Sequence, residues 1–274
     1  MPKEKPELSD AMRKKLSGSS REKKPINGTK FTIAISSAKG GVGKSTFATN
    51  LALALKQNGC KVGLLDADIY GPSIPKMFGI NEKPKSDGQK LEPVIKYDIQ
   101  CMSIGFLTDE KTPMIWRGPM VTSAIKTFTQ QVNWKDLDFI IVDMPPGTGD
   151  AQLTFSQGIE MNGAIIVSTP QEVALLDVKR GIKMFDKLNV KVLGLIDNMS
   201  FFVGDDGKKY NIFGEGGVKR TAEEFNKDFL GEIPINSDVG KQGDLGLPIV
   251  EKDPQHEISK IYLNLAKKLK SIFF

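Results

Sequence analysis

Two lysines set five residues apart, Lys39 and Lys44, frame three glycines in the run Ser36-Ser-Ala-Lys-Gly-Gly-Val-Gly-Lys-Ser-Thr46. Gly40, Gly41 and Gly43 let the backbone curl, so that successive N–H groups point inward and make a cradle for an anion. A helix that starts at the end of such a loop adds its positive end, where a β-phosphate is favoured. Lys44 then neutralises β- and γ-phosphate oxygens, and the Ser45 hydroxyl ligates Mg²⁺. The pattern G-x-x-x-x-G-K-[ST] is met except at its first position, where Ala38 replaces glycine. An extended chain accepts alanine there without strain. The expected nucleotide cradle is therefore Ala38, Lys39, Gly40, Gly41, Val42, Gly43, Lys44, Ser45 and Thr46. Lys39 is surplus to a phosphate loop, and its charge suits a nucleotide switch that works as a dimer.

Carboxylates follow at two strand-like ends. Asp66 and Asp68 straddle Ala67 in Leu64-Leu-Asp-Ala-Asp-Ile-Tyr-Gly-Pro-Ser73. In extended chain, residues two apart face one side, so both carboxylates are aimed together. Beside a phosphate site, Asp66 is the candidate for supporting Mg²⁺ and Asp68 for positioning an attacking water. Asp143 ends the apolar run Phe139-Ile-Ile-Val142, the arrangement that holds Mg²⁺ through water in phosphate-loop ATPases. The Pro145-Pro-Gly-Thr-Gly149 loop behind it has glycines that permit a backbone switch on the γ-phosphate. Asn198 ends another run, Leu195-Ile-Asp197. Its amide offers a donor and an acceptor to an adenine edge, or equally caps a helix. No Asn-Lys-x-Asp guanine motif is present, which points to ATP.

These groups need a scaffold that brings strand ends together. Phe31–Ser37, Lys61–Asp66, Phe139–Asp143, Ala164–Ser168 and Val192–Asp197 read as buried strands, with a shorter one at Leu230–Ile233. Helical spacing fills most intervals, as in Ser45–Lys56 with Phe47, Leu51, Ala54 and Leu55 on one side. Strand–helix alternation predicts an α/β fold: three layers, a mostly parallel sheet with helices on both faces. Ligands bind at the carboxyl ends of such strands. Residues 31–274 read as one domain carrying an insertion at Gly71–Trp134. Within it, Pro93–Phe106 reads as a hairpin and Val121–Gln130 as a helix.

The 274 residues suffice for one large α/β domain. No apolar run approaches the 18 residues of a membrane span. Residues 1–30 hold nine Lys/Arg against four Asp/Glu, which accounts for the whole net charge of +5. They read as a disordered basic arm, solvated rather than binding. The remainder is electrically neutral, which argues against nucleic acid as a partner. Cys60 and Cys101, the two cysteines, cannot form a disulfide framework and suit a reducing, cytoplasmic setting.

With both lysines, both switch loops and Asn198 in place, the chain resembles the Mrp/Nbp branch of the MinD-like, deviant Walker A ATPases. The segments that carry the resemblance are S-S-A-K-G-G-V-G-K-S-T, D-A-D-I-Y-G-P-S-I-P-K-M, C-M-S-I-G-F-L, W-R-G-P-M-V, V-D-M-P-P-G-T-G-D, I-V-S-T-P-Q, D-N-M-S-F-F and I-F-G-E-G-G, between about residues 31 and 217. The resemblance implies an ATP- and Mg²⁺-dependent carrier that helps assemble iron–sulfur clusters and passes them to apo-proteins. It also implies a homodimer in which Lys39 reaches the partner's nucleotide.

Two departures qualify it. Many members have C-x-x-C between the N-M-S and I-F-G motifs, and two subunits hold one [4Fe–4S] cluster with it. Here that segment reads Phe201-Phe-Val-Gly-Asp-Asp-Gly-Lys-Lys-Tyr210, without cysteine. The cluster ligands are thus unknown, with a pair of Cys101 thiols across a dimer left open. Many bacterial relatives also begin with a small extra domain, and residues 1–30 are too short and polar to be one. Two other readings compete. One is a scaffold ATPase that holds no cluster. The other is a MinD-like ATPase cycling on a membrane through its last helix, whose Ile258, Ile261, Tyr262, Leu265, Leu269 and Ile272 share a face. A helix packed on the sheet shows the same pattern and is the favoured explanation of it.

Overall fold

The computed structural model describes residues 23–107 and 118–274. In chain order these form β1 (Thr29–Ser36), α1 (Lys44–Gln57), β2 (Val62–Asp66), α2 (Ile74–Met77), β3 (Lys85–Ser86), β4 (Leu91–Glu92), β5 (Val94–Lys96), β6 (Ile99–Ser103), α3 (Gly118–Lys126), β7 (Leu137–Asp143), α4 (Asp150–Gly158) and β8 (Gly163–Ser168). They continue as α5 (Glu172–Lys187), β9 (Val192–Val203), β10 (Lys209–Tyr210), α6 (Gly217–Glu224), β11 (Phe229–Ile235), α7 (Ser237–Asp244), α8 (Ile249–Lys252) and α9 (Glu257–Phe273). The main sheet runs β10-β9-β8-β1-β7-β2-β6-β5, with β11 also on β9. The pairings among β11, β9, β8, β1, β7, β2 and β6 are parallel, while β5 and β10 pair antiparallel.

Strand alternation splits the core into two layers. Ile33, Ile35, Leu64, Ile141 and Ile196 meet Phe47, Leu51 and Leu55 of α1 and Ile258, Tyr262 and Leu269 of α9. On the other face, Ala34, Leu65, Ile140, Val142 and Leu195 meet Val121 of α3, Phe155 of α4, Val178 and Ile182 of α5 and Val218 of α6. The expected three-layer α/β architecture is therefore present. In α9, Ile258, Tyr262, Leu265 and Leu269 are buried. The Tyr262 ring lies 5.7 Å from that of Phe47. The apolar face that a membrane would need is thus packed on α1.

Three sequence expectations shift. Residues 71–134 are not wholly an insertion: β6 pairs with β2 in parallel, Leu64 opposite Cys101 and Asp66 opposite Ser103, and so widens the main sheet. The hairpin expected at Pro93–Phe106 is β5–β6, and Ile104–Phe106 is a single 3₁₀ turn rather than strand. The fold also starts before residue 31. Lys24 forms a parallel bridge to Ile159 and accepts a bond from Glu160 N at 2.9 Å, while Ile26 is buried. The rest of the segment read as an arm, residues 1–22, lies outside the described residues, as does part of the W-R-G-P-M-V motif.

Candidate nucleotide site

Parallel strands β1, β2 and β7 bring their carboxyl ends side by side, Ile35 opposite Asp143 and Asp66 opposite Asp143. The phosphate loop leaves β1 there and α1 opens at Lys44. Gly43 sits at the helix N-cap with φ +82°. A Cβ on it would lie 2.3 Å from Asn198 Nδ2. Glycine is therefore required twice over, by backbone hand and by close approach.

Lys44 is buried, and its Nζ lies 2.7 Å from Asp143 Oδ1, 3.3 Å from Asp68 Oδ2 and 3.3 Å from Ser45 Oγ. Burial pulls the Lys44 pKa down, but the charges of Asp143 and Asp68 outweigh it and leave the ammonium above its ordinary value. Asp143 is raised by burial, against the opposing pull of Lys44. Asp66 is pushed up to about 7, first by burial and next by the charge of Asp143. One lysine thus faces more buried carboxylate than it can balance, which is an electrostatic invitation to a further cation.

The acids divide their work. Asp143 Oδ2 is a buried oxygen without a hydrogen-bond partner. With Ser45 Oγ close by, this is a hard oxygen donor set of the kind Mg²⁺ selects. The chemistry of these two donors fits that ion. Asp66 is already occupied by protein donors: Asp68 N at 3.2 Å on Oδ1, Ile74 N at 3.1 Å and Ser103 Oγ at 3.0 Å on Oδ2. It fixes the Ala67–Ser73 loop and the start of α2. Asp68, which also accepts from Tyr70 N at 3.1 Å, turns its other oxygen to Lys44. Lys39 is exposed on the loop's outer shoulder and makes no ion pair with another described residue.

Asn198 differs from expectation. It does not end its strand, since β9 continues to Val203 past the last residue of neighbouring β8. Its Nδ2 donates to Val42 O at 2.8 Å, so the donor half of the amide braces the phosphate loop from behind.

The cleft beside the loop measures about 410 Å³ and is lined by Gly40, Lys44, Ser45, Thr46, Asp68 and Pro146 from the expected motifs. Its other wall was not foreseen: Lys76 and Met77 of α2, and Val239, Gly240, Gly243 and Asp244 of α7. The one available signal was Gly240 and Gly243 three residues apart, which leaves a bare helix face. A Cβ on Gly243 would touch Met77 Cε at 3.7 Å.

Thiols are absent from the cleft. Cys60 and Cys101 are both buried in the α1 layer of the core, and burial raises both pKa values. Cluster irons need thiolates that can reach them, so two Cys101 side chains cannot meet across a dimer surface. Among the described residues no group of three or more His, Cys, Asp or Glu is placed to hold a metal ion. No helix among them is long and apolar enough to cross a membrane.

Residues 28–270 match the family described as the ParA/NUBPL iron-transfer P-loop NTPases. The chain belongs to that family. An iron–sulfur cluster carrier protein of Aquifex aeolicus is 49% identical over 254 residues, 91% of this chain and 70% of the relative. The iron-sulfur cluster transfer protein NUBPL of Mus musculus is 48% identical over 252 residues, 90% of this chain and 79% of that one. Among solved structures, a nucleotide-binding protein of Archaeoglobus fulgidus in complex with ADP superposes with a TM-score of 0.71 at 42% identity, covering 80% of this chain and 87% of that one. The cell division ATPase MinD of Pyrococcus furiosus, at 19% identity, shares the fold with a TM-score of 0.67, over 88% of this chain and 99% of its own. The match spans the strands and loops that line the cleft.

Proposed function

We propose that this chain binds and hydrolyses ATP with Mg²⁺ and serves the delivery of iron–sulfur clusters to apo-proteins, working as a homodimer with the nucleotides between its subunits. The observation that carries the reading is a family match over nearly the whole fold, joined to a phosphate loop whose Lys44 lies between two buried carboxylates. Lys44 moves from these acids to the β- and γ-phosphates. Mg²⁺, held by Ser45 and Asp143, supplies charge neutralisation at the phosphates when bound. Asp68, released from Lys44, orients the attacking water. Asp66 acts by holding the loop that carries Asp68. Lys39, exposed on the loop, extends to the partner's nucleotide in the manner of an arginine finger. Asn198 holds the loop through Nδ2, and of its expected adenine contact only the acceptor half, Oδ1, is left. A cytoplasmic setting, where thiols stay reduced, suits both free cysteines.

A second reading has its own support. With both thiols buried and the hairpin free of cysteine, the cluster is cargo held by a partner protein, and this chain is the ATP-driven scaffold. Anaerobic reconstitution with iron and sulfide separates the two. A stoichiometric [4Fe–4S] spectrum that survives desalting establishes a carrier in its own right. Its absence, together with ATP-dependent activation of an apo-protein by an added cluster donor, establishes the scaffold. Absence of both sinks the iron–sulfur reading altogether.

A further inference from the structure

The loop behind Asp143 is tied to the strand that carries the phosphate loop, and one tie is a side-chain bond from a residue outside every motif discussed above. Met144 N donates to Ile35 O at 3.0 Å and Gly147 N to Ser37 O at 2.8 Å. Gly147 holds φ +88°, so this turn depends on glycine. The loop then enters α4 at Asp150. In the first turn of α4, Gln152 is 1% exposed and its Nε2 donates to Ser36 Oγ, itself 2% exposed. Ser36 is the last residue of β1, directly before the phosphate loop. The switch loop is thus clamped at both ends to consecutive residues of one strand.

We propose that Gln152 is a positioning residue for ATP hydrolysis: through Ser36 it keeps the Pro145–Gly149 loop and the start of α4 in step with the phosphate loop. A buried amide serves this purpose well. Its hydrogen bond is stronger in a low dielectric and costly to leave unmade. The surroundings are polar and incompletely paired: Gln152 Oε1, Ser37 Oγ and, one turn along α4, Ser156 Oγ are buried without protein partners. Such a network admits a second pairing when the loop moves, which a sealed apolar contact would not. Gln152 does not line the cleft. It acts by fixing where Pro146, which lines the cleft, and the Gly147 amide stand.

The inference rests on the ATPase reading, and the test separates the two. Ser36→Ala, Gln152→Ala and the double variant are compared with the unmodified chain. The measurements are hydrolysis rate, Mg-ADP affinity and hydrogen exchange of residues 145–158 with and without a non-hydrolysable ATP analogue. Each single variant is expected to lose roughly tenfold in kcat, the double no more than either single, with ADP affinity held within about twofold. Nucleotide-dependent protection of 145–158 should fade in Gln152→Ala. A kcat near normal in Ser36→Ala, or losses that multiply in the double variant, overturns the proposal. Ser36→Ala removes one hydroxyl and serves if Gln152→Ala folds poorly. If the unmodified chain neither binds nor hydrolyses ATP, the ATPase reading fails and takes this proposal with it. If it does both and the loop responds equally in all variants, only the role of Gln152 fails.

Discussion

The phosphate loop and the β9–β10 hairpin both follow the carboxyl ends of parallel strands, β1 and β9, yet they are built to opposite standards. Around Lys44 the groups are buried and multiply held: Asp66 accepts three bonds, Lys44 faces two carboxylates, and Gly43 is fixed by its own φ and by Asn198. Around Gly204–Tyr210 the side chains are largely exposed, with Asp206 bonded to Lys208 N and Tyr210 OH and Lys209 lying over the Phe201 ring. Phe202, Val203, Tyr210 and Ile212 stand in solvent. The first region is over-determined for a single ligand chemistry. The second has a well-formed turn and no soft donor atom. The difference makes nucleotide chemistry and cluster holding separately testable in this chain.

The largest effect is expected from Lys44→Ala. It removes the cation that phosphate needs and leaves Asp143 and Asp68 buried and unpaired. Breaking a buried pair in this way costs about 3–5 kcal/mol. Hydrolysis should vanish and ATP affinity with it, measured by phosphate release and calorimetry, while thermal stability falls. Normal ATP affinity in this variant would mean that the cleft is not the nucleotide site. Lys39→Ala should behave differently, because Lys39 is exposed and makes no ion pair with another described residue. Hydrolysis should fall by roughly 10³-fold or more if the lysine acts in trans as a finger, with ADP affinity and melting temperature unchanged. Light scattering with ATP would show weaker dimerisation. A variant that hydrolyses ATP normally rules out the trans role.

The hairpin can be sharpened by gain rather than loss. Val203→Cys with Asp206→Cys places two thiols at C-x-x-C spacing on an exposed turn. Anaerobic reconstitution should then yield roughly one [4Fe–4S] cluster per two chains, against none for the unmodified hairpin. ATP hydrolysis should be unaffected. A folded, dimeric variant that takes up no cluster would show that this turn is not where the fold presents cargo.

What the sequence revealed follows a physical divide. The phosphate loop, Asp66, Asp68 and Asp143 were legible because glycine, lysine and carboxylate at fixed spacing have few other uses. Five strands were legible because they are buried on both faces and read as apolar runs. The α7 wall was not, since Gly240 and Gly243 act there by lacking a side chain. Strand β6 was mistaken for part of an insertion because its partner β2 lies far away along the chain, and pairing across such distance leaves no local mark. Ile26 was hidden as one apolar residue in a polar run. Asn198 was read as the end of its strand because nothing local showed that β9 runs on beyond it to Val203.

The smallest effect concerns the joint between the two regions. Asp197 precedes Asn198 on β9, in register with Ser168 on one side and Glu232 on the other. It is 1% exposed and its Oδ1 has no partner. Burial, and next the charge of Glu232, push its pKa up to about 7. Unfolded, an aspartate titrates near ~3.9. Between those values the folded chain binds the proton more tightly than the unfolded one, so this group lowers stability as pH rises from about 4 to 7 and leaves it lowered above. Asp197→Asn keeps the shape and removes the ionisation. Its melting temperature should match the unmodified chain near pH 4.5 and exceed it by about 2–4 °C at pH 8, an effect on the order of 1–2 kcal/mol after allowing for solvent around the exposed Glu232. Glu232→Gln should give a smaller gain in the same direction, because it removes the lesser cause. A stability difference that stays flat across this range would mean that Asp197 is ionised throughout, and that solvent or a neighbour reaches the buried oxygen.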